Sequence, residues 1–296
     1  MNKQLKADLM LVLVTVAWGL SYYMMDICLE ELEPFTLNAY RFLGAFVIAG
    51  ILAFPKLKSV NALTLRHSAY IGVALYFTYI GATFGVRYTS LSNAGFLCAL
   101  AVVITPLLEF VFRKKRLGKK IVAVVILSVV GIGLLTLNEE FKLAMGDLLC
   151  LLCAVAYAID MVLTDIAVNK PRVNAFQVGV FQLFFCGTLC LITAVLTETP
   201  KLPESKGVIF SVIFLSVFCT GIAFIVQAVA QQYTTATHVG VIFTLEPVFA
   251  GMVAFFLAGE VLLPRAYAGA VLLLVGLFVM EIDLEKFWKK NRGALK

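Results

Sequence analysis

The sequence predicts an all-α integral membrane protein with ten transmembrane helices arranged as two inverted five-helix repeats. Three observations predict this. The 296 residues are 61% hydrophobic and 14% charged, with a mean hydropathy of +0.97, whereas soluble domains carry about a quarter charged residues. Apolar stretches long enough to cross a bilayer recur along the chain. The second half also partly repeats the first, at a shift of 139 residues.

The apolar stretches fall near 8–28, 35–54, 68–86, 91–112, 119–137, 146–167, 174–196, 207–230, 236–258 and 265–282. Helices satisfy their own backbone polar groups, as lipid requires. The narrowest separation is RYTSLSN, between the third and fourth spans. With a cytoplasmic N-terminus, 18 basic residues fall on inside connections and 5 on outside ones, and Arg41 lies within a span. That bias orients ten spans with both termini cytoplasmic. The expected setting is the bacterial cytoplasmic membrane. The start, MNKQLKADLM, reads as a lead into the first span rather than a removed signal.

The repeat lays ADLMLVLVTVAWGLSYYMMDI over GDLLCLLCAVAYAIDMVLTDI, so that Asp8 meets Asp147, Asp26 meets Asp165 and Trp18 meets Tyr157. A second echo, at a shift of 145, sets RYTSLSNAG against QYTTATHVG. Residues 1–142 and 143–296 then form the two halves, the second ending in a short basic tail. Five spans per half invert the second half in the membrane, a plan common in secondary transporters.

AWGLSYY at 17–23, NAYRF around Arg41, RYTSLSNAGFLCALAVVITPLL at 87–108, QYTTATHVGVIFTLEPVFAG at 232–251 and the Gly259–Glu260 pair together resemble the EamA-type transporters of the drug/metabolite transporter superfamily. The resemblance extends from about residue 8 to 282. It implies ten helices around a central cavity and export-type or facilitated transport by alternating access. It also implies a fifth span, with Gly131 and Gly133, that helps form a dimer contact, so a homodimer is one expected arrangement.

Ionisable groups inside apolar spans face the bundle interior, water or a polar partner. Arg41 is either a fixed positive charge beside the cavity or a structural clamp. Asp160 is either a cation or proton site or one member of an interhelical pair. His238 opens the ninth span. Glu109 is expected to pair locally with Arg113. Trp18, Tyr22, Tyr76 and Tyr79 offer an aromatic wall, the last two sharing a face at three-residue spacing. Asn93, Tyr157 and Gln227 offer hydrogen bonds. Pro106 and Pro247 are expected helix bends. Glu246, directly before Pro247, either fixes that bend or serves the cavity as a proton or cation site.

The expected function is secondary transport of a small organic metabolite or amino-acid-like solute, outward, through the lipid bilayer, with proton coupling open to Asp160, His238 or Glu246. Export of toxic organic compounds is the alternative. Direct ATP drive has no GxxxxGK[ST] run behind it. The two histidines, His67 and His238, form no HExxH-type cluster, which argues against a membrane enzyme. The Cys150–Cys153 pair lies in an apolar run without a second pair, so helix packing rather than metal binding is expected. No cofactor, metal or nucleic acid is expected, since the positive charge is dispersed in short connections.

Overall fold

A computed structural model describes residues 3–89, 91–114, 118–136, 145–257, 259 and 264–281. Among the described residues all regular structure is helical. The helices are α1 Lys3–Leu29, α2 Pro34–Leu57, α3 Ala62–Tyr88, α4 Leu91–Ala99, α5 Ala101–Arg113, α6 Lys119–Thr136, α7 Met145–Val168, α8 Ala175–Thr197, α9 Lys206–Phe214, α10 Ala223–Ala230, α11 Ala236–Phe243, α12 Glu246–Leu257 and α13 Pro264–Glu281. A π-helical segment, Leu215–Ile222, joins α9 to α10. Counting α4–α5, α9–α10 and α11–α12 as single interrupted rods gives ten rods among the described residues.

Seven of these are long and apolar enough to cross a membrane. This is fewer than the ten uniform spans expected. Leu97–Phe112 and Tyr267–Gly276 are shorter apolar stretches. The third helix starts at Ala62, six residues before the expected span, because Asn61 caps it by accepting a bond from Thr64 N at 2.8 Å. Asn174, Ser205 and Thr235 cap α8, α9 and α11 in the same way. Each supplies a side-chain oxygen to an amide that has no helical partner.

Apolar side chains such as Ile51, Leu52, Leu196 and Phe256 point outward and stay exposed, as expected of a lipid-facing belt. Packing inside depends on small residues that let backbones approach. A Cβ on Gly19 would stand 2.5 Å from Phe249 Cβ and 2.8 Å from Ala250 N, so α1 lies directly against α12. A Cβ on Gly81 would stand 2.6 Å from Cys153 N, so the CxxC stretch of α7 is a contact surface for α3. Gly131 faces α13 within the same chain, where Gly269 O would lie 3.0 Å from an added Cβ.

The α1 helix packs on α10, α11 and α12, while α7 packs on α3, α4 and α5. Each half's leading helix therefore lies against elements of the other half. Two of the interrupted rods, α4–α5 and α11–α12, share one backbone pattern. Leu100 N, Val103 N and Ile104 N bond Leu97 O and Leu100 O, and Leu245 N, Val248 N and Phe249 N bond Ile242 O and Leu245 O. The second set repeats the first at a shift of 145 residues.

Proline does not place both interruptions. Pro247 lies two residues after Leu245, and it has no N–H to offer the Phe243 carbonyl. In the first half α5 runs through Pro106, and the interruption lies six residues earlier, at Leu100. The expected bend at Pro106 is thus displaced to Leu100.

Candidate functional site

The central cavity is built from α1, α3, α4, α5, α7, α10, α11 and the start of α12. Its volume is about 60 Å³ for the centres of water-sized spheres, which is room for a few waters.

Aromatic rings from both halves form the wall. The Trp18 ring lies 4.7 Å from Phe243, 5.5 Å from Phe224 and 5.8 Å, edge-on, from Tyr157. Tyr157 in turn stacks on Phe243 at 6.1 Å. Trp18 and Tyr157, which match in the sequence repeat, thus meet across the cavity. Trp18 also donates through Nε1 to Cys219 O at 2.8 Å. That carbonyl belongs to the π segment, whose wider turn changes the regular i→i+4 bonding pattern.

Glu246 is the carboxylate of the lining, at the first residue of α12. Its Oε1 accepts a 2.8 Å bond from the Tyr22 hydroxyl of α1. The chain therefore reverses nothing at this acid. It interrupts a helix there and presents the side chain at the new helix start, where exposed amides favour negative charge.

Arg41 is 0% exposed and does not line the cavity. Its Nε bonds Thr220 Oγ1, its Nη1 lies 3.3 Å from Met25 Sδ, and its Nη2 donates to Tyr79 OH at 3.1 Å and to Cys219 O at 3.3 Å. The guanidinium also sits 4.5 Å from the centre of the Tyr79 ring, a favourable cation–π distance. Among the described residues no carboxylate lies within ion-pair distance of it. Arg41 thus touches Tyr79, which does line the cavity.

Tyr76 and Tyr79 meet different partners. The Tyr76 hydroxyl bonds Thr193 Oγ1 at 2.7 Å, and its ring stacks against Phe35. Residues three apart on a helix are offset by about 60°, enough here to separate one helix contact from the cavity. Gln227 and Asp160 lie behind the wall: Tyr157 OH donates to Gln227 Oε1 at 3.1 Å, and Gln227 Nε2 donates to Asp160 Oδ2 at 3.3 Å. His238 lies 3.4 Å from Asp8 Oδ1, linking α11 to α1 away from the cavity lining. Glu109 is 3% exposed and accepts a bond from Thr237 of α11. The Asn93 and Arg113 side chains lie outside the described residues, as do Glu260 and the basic tail.

The cavity also contains Phe224, Phe243, Cys98 and Cys153, none of which the sequence reading selected. Their signal was spacing. Cys153 precedes Tyr157 by four residues and Phe243 precedes Glu246 by three, so each lies about one turn from a chosen residue. The π segment had no comparable sequence signal.

The EamA-like transporter family matches the chain over residues 5–137 and 144–282. The chain belongs to the EamA-like transporter family. An uncharacterized transporter of Archaeoglobus fulgidus is 31% identical over 95% of this EamA-like chain and 87% of its own length. The uncharacterized transporter YcxC of Bacillus subtilis is 24% identical over 98% of this chain and 97% of its own. A solved crystal structure superposes with a TM-score of 0.76 at 19% identity, covering 93% of this chain and 96% of that one, a likeness of fold.

Family membership makes the EamA-like chain a membrane transporter of small molecules rather than an enzyme. Among the described residues no group of three His, Cys, Asp or Glu side chains could hold a metal ion. All seven cysteines are free thiols.

Proposed function

We propose that this EamA-like transporter is a secondary carrier for a small organic solute bearing a protonated amine, such as an amino-acid-like metabolite. The carrying observation is the Tyr22–Glu246 pair in a cavity otherwise walled by aromatic and apolar groups. A carboxylate beside aromatic faces suits an ammonium group with an apolar body. Arg41 bonds Tyr79 and is not among the residues that line the cavity.

Alternating access is the proposed mechanism, with residues 1–142 and 143–296 as inverted halves. Support comes from the two family-matched segments, the interruption repeated at 145 residues, and the meeting of Trp18 with Tyr157. Interrupted helices near a repeat interface form the solute sites of many carriers. The proposed direction is efflux from the cytoplasm, with both termini on the cytoplasmic side of a bacterial membrane. A homodimer through the lipid-facing side of α6, exposed at Ile126 and Val130, accompanies this reading and is testable by native mass spectrometry.

Counterflow in proteoliposomes with a mixed metabolite pool, read by mass spectrometry, tests the carrier. Saturable, solute-accelerated exchange enriched in amines is expected. Linear, unsaturable flux would replace the carrier with a channel. The Trp18–Tyr157–Phe243 wall also suits lipophilic organic cations, and adding these to the pool distinguishes a toxic-compound exporter.

A further inference from the structure

The solute reading uses Glu246 and leaves another buried carboxylate without a task. Asp160, within α7, is 0% exposed and is absent from the cavity lining. Its Oδ2 accepts the 3.3 Å bond from Gln227 Nε2. Its Oδ1 has no hydrogen-bond partner among the described residues. An ionised carboxylate so poorly solvated is costly inside a membrane. The neutral acid removes the charge and turns the idle oxygen into a donor.

Among the described residues, the helices packed against α7 place no cation within ion-pair distance of Asp160. On α3, Arg87 pairs with Glu33, His67 lies beside Lys170, and Tyr79 is held by Arg41. The Cys98 thiol of α4 lines the cavity, Glu109 of α5 accepts from Thr237, and His238 of α11 faces Asp8. The α8 helix brings the Cys186 thiol into electrostatic reach of Asp160, and α10 brings the neutral Gln227. On α7 itself, Tyr157 faces Asp160, Asp165 accepts from Asn169 and Asp147 from Thr89.

Thr164 Oγ1, one turn along α7, is a second buried oxygen without a hydrogen-bond partner among the described residues.

Gln227 joins this acid to the cavity. Its Oε1 holds the hydroxyl of the cavity-lining Tyr157, while its Nε2 holds Asp160. A solute that takes the Tyr157 hydroxyl releases the amide oxygen. Turned toward Asp160, that oxygen can bond only the protonated acid, whereas the amide N–H groups also bond the carboxylate.

We infer that Asp160 is a proton-carrying site, separate from the solute cavity and connected to it through Gln227 and Tyr157. In each cycle the Asp160 O–H bond breaks, the proton passes to water on one side, and the carboxylate is held by Gln227 N–H. Hydronium on the other side returns a proton and becomes water. No electrons are transferred. The link to solute movement rests on the carrier reading, while the bound proton does not.

Infrared difference spectra of the full chain in proteoliposomes test the site without a known solute. At neutral pH a protonated-carboxyl C=O band is expected in the wild type and in Glu246→Gln, with loss in Asp160→Asn. Persistence of the band in Asp160→Asn, or its absence from the wild type, would overturn the site. Abolition of the wild-type band by exchanging potassium chloride for sodium chloride would instead make it a metal-cation site. Tyr157→Phe, which keeps the ring, is expected to shift the band, and an unshifted band would sever the proposed link to the cavity. Failure of counterflow alone would strike the carrier reading and leave the spectral result intact.

Discussion

The Tyr22 hydroxyl donates a 2.8 Å hydrogen bond to Glu246 Oε1, joining α1 to the first residue of α12. The close contact of Gly19 with Phe249 and Ala250, one turn earlier on α1, holds the same two helices together. One helix pair therefore both positions the cavity acid and fixes the local packing, and substitutions can separate these two effects.

Replacing Glu246 with Gln keeps the side chain's length and its acceptor for Tyr22 while removing the charge. A hydrogen bond to a charged group contributes about 1.5–3 kcal/mol, so half-saturating concentrations for amine-bearing solutes should rise roughly tenfold or more. Tyr22→Phe should have a smaller effect, about fivefold, from loss of about 1 kcal/mol. Concentration series in the counterflow assay measure both. Equal affinity in wild type and Glu246→Gln would remove the acid from solute binding.

Gly19→Ala should destabilise the fold, because the added methyl meets the α12 backbone. Overpacking of this kind costs about 1–3 kcal/mol. Gly50→Ala has open space at the corresponding atom and should hold or raise stability, by up to about 1 kcal/mol. Thermal unfolding of the two variants in one detergent should move in opposite directions, or only the first should fall.

Arg41→Lys should lower transport although charge is retained. The guanidinium bonds Thr220, Cys219 O and Tyr79 together, and an ammonium lacks that planar fork. Loss of one or two such bonds amounts to about 1–3 kcal/mol. The decrease should appear as a lower maximal rate and reduced thermal stability. Arg41→Lys with wild-type values in both would leave the clamp without a role.

The α1–α2 turn should loosen in acid. Glu31 accepts from the Glu204 and Ser205 amides at the start of α9, and these bonds, Glu204 first, hold its carboxyl below the usual carboxylate range. A carboxyl depressed in the folded state contributes above its unfolded value, and the contribution fades as pH falls through the folded value. Hydrogen exchange at Glu204 and Ser205, corrected for intrinsic pH dependence, should therefore accelerate in acid. Glu31→Gln should flatten that response.

The fold was readable where physics writes it locally. The length and composition of each apolar stretch are local properties, and they carried the helical membrane class. Trp18, Tyr22, Tyr79, Tyr157 and Glu246 were readable as cavity candidates because polar or amphipathic groups are conspicuous against apolar helices. Burial of Arg41 behind Tyr79, the separation of Tyr76 from Tyr79 and the Glu109–Thr237 contact depend on which helix faces which. That information is tertiary. Pro106 misled for a related reason: a missing N–H weakens one bond, but neighbouring helices determine whether the rod breaks there or at Leu100.

The π segment at Leu215–Ile222 also sets the angular phase of everything beyond it. A π turn carries the equivalent of one additional residue within an α-helical rod. Deleting one residue there would restore a regular helix at the expense of a rotation of about 100° between its two ends. With α9 held in place, Phe224 would swing out of the Trp18 wall and Gln227 away from Asp160. With α10 held instead, the Arg41 and Trp18 acceptors at Thr220 and Cys219 would turn. The aromatic wall and the arginine clamp keep their common alignment through a single surplus residue.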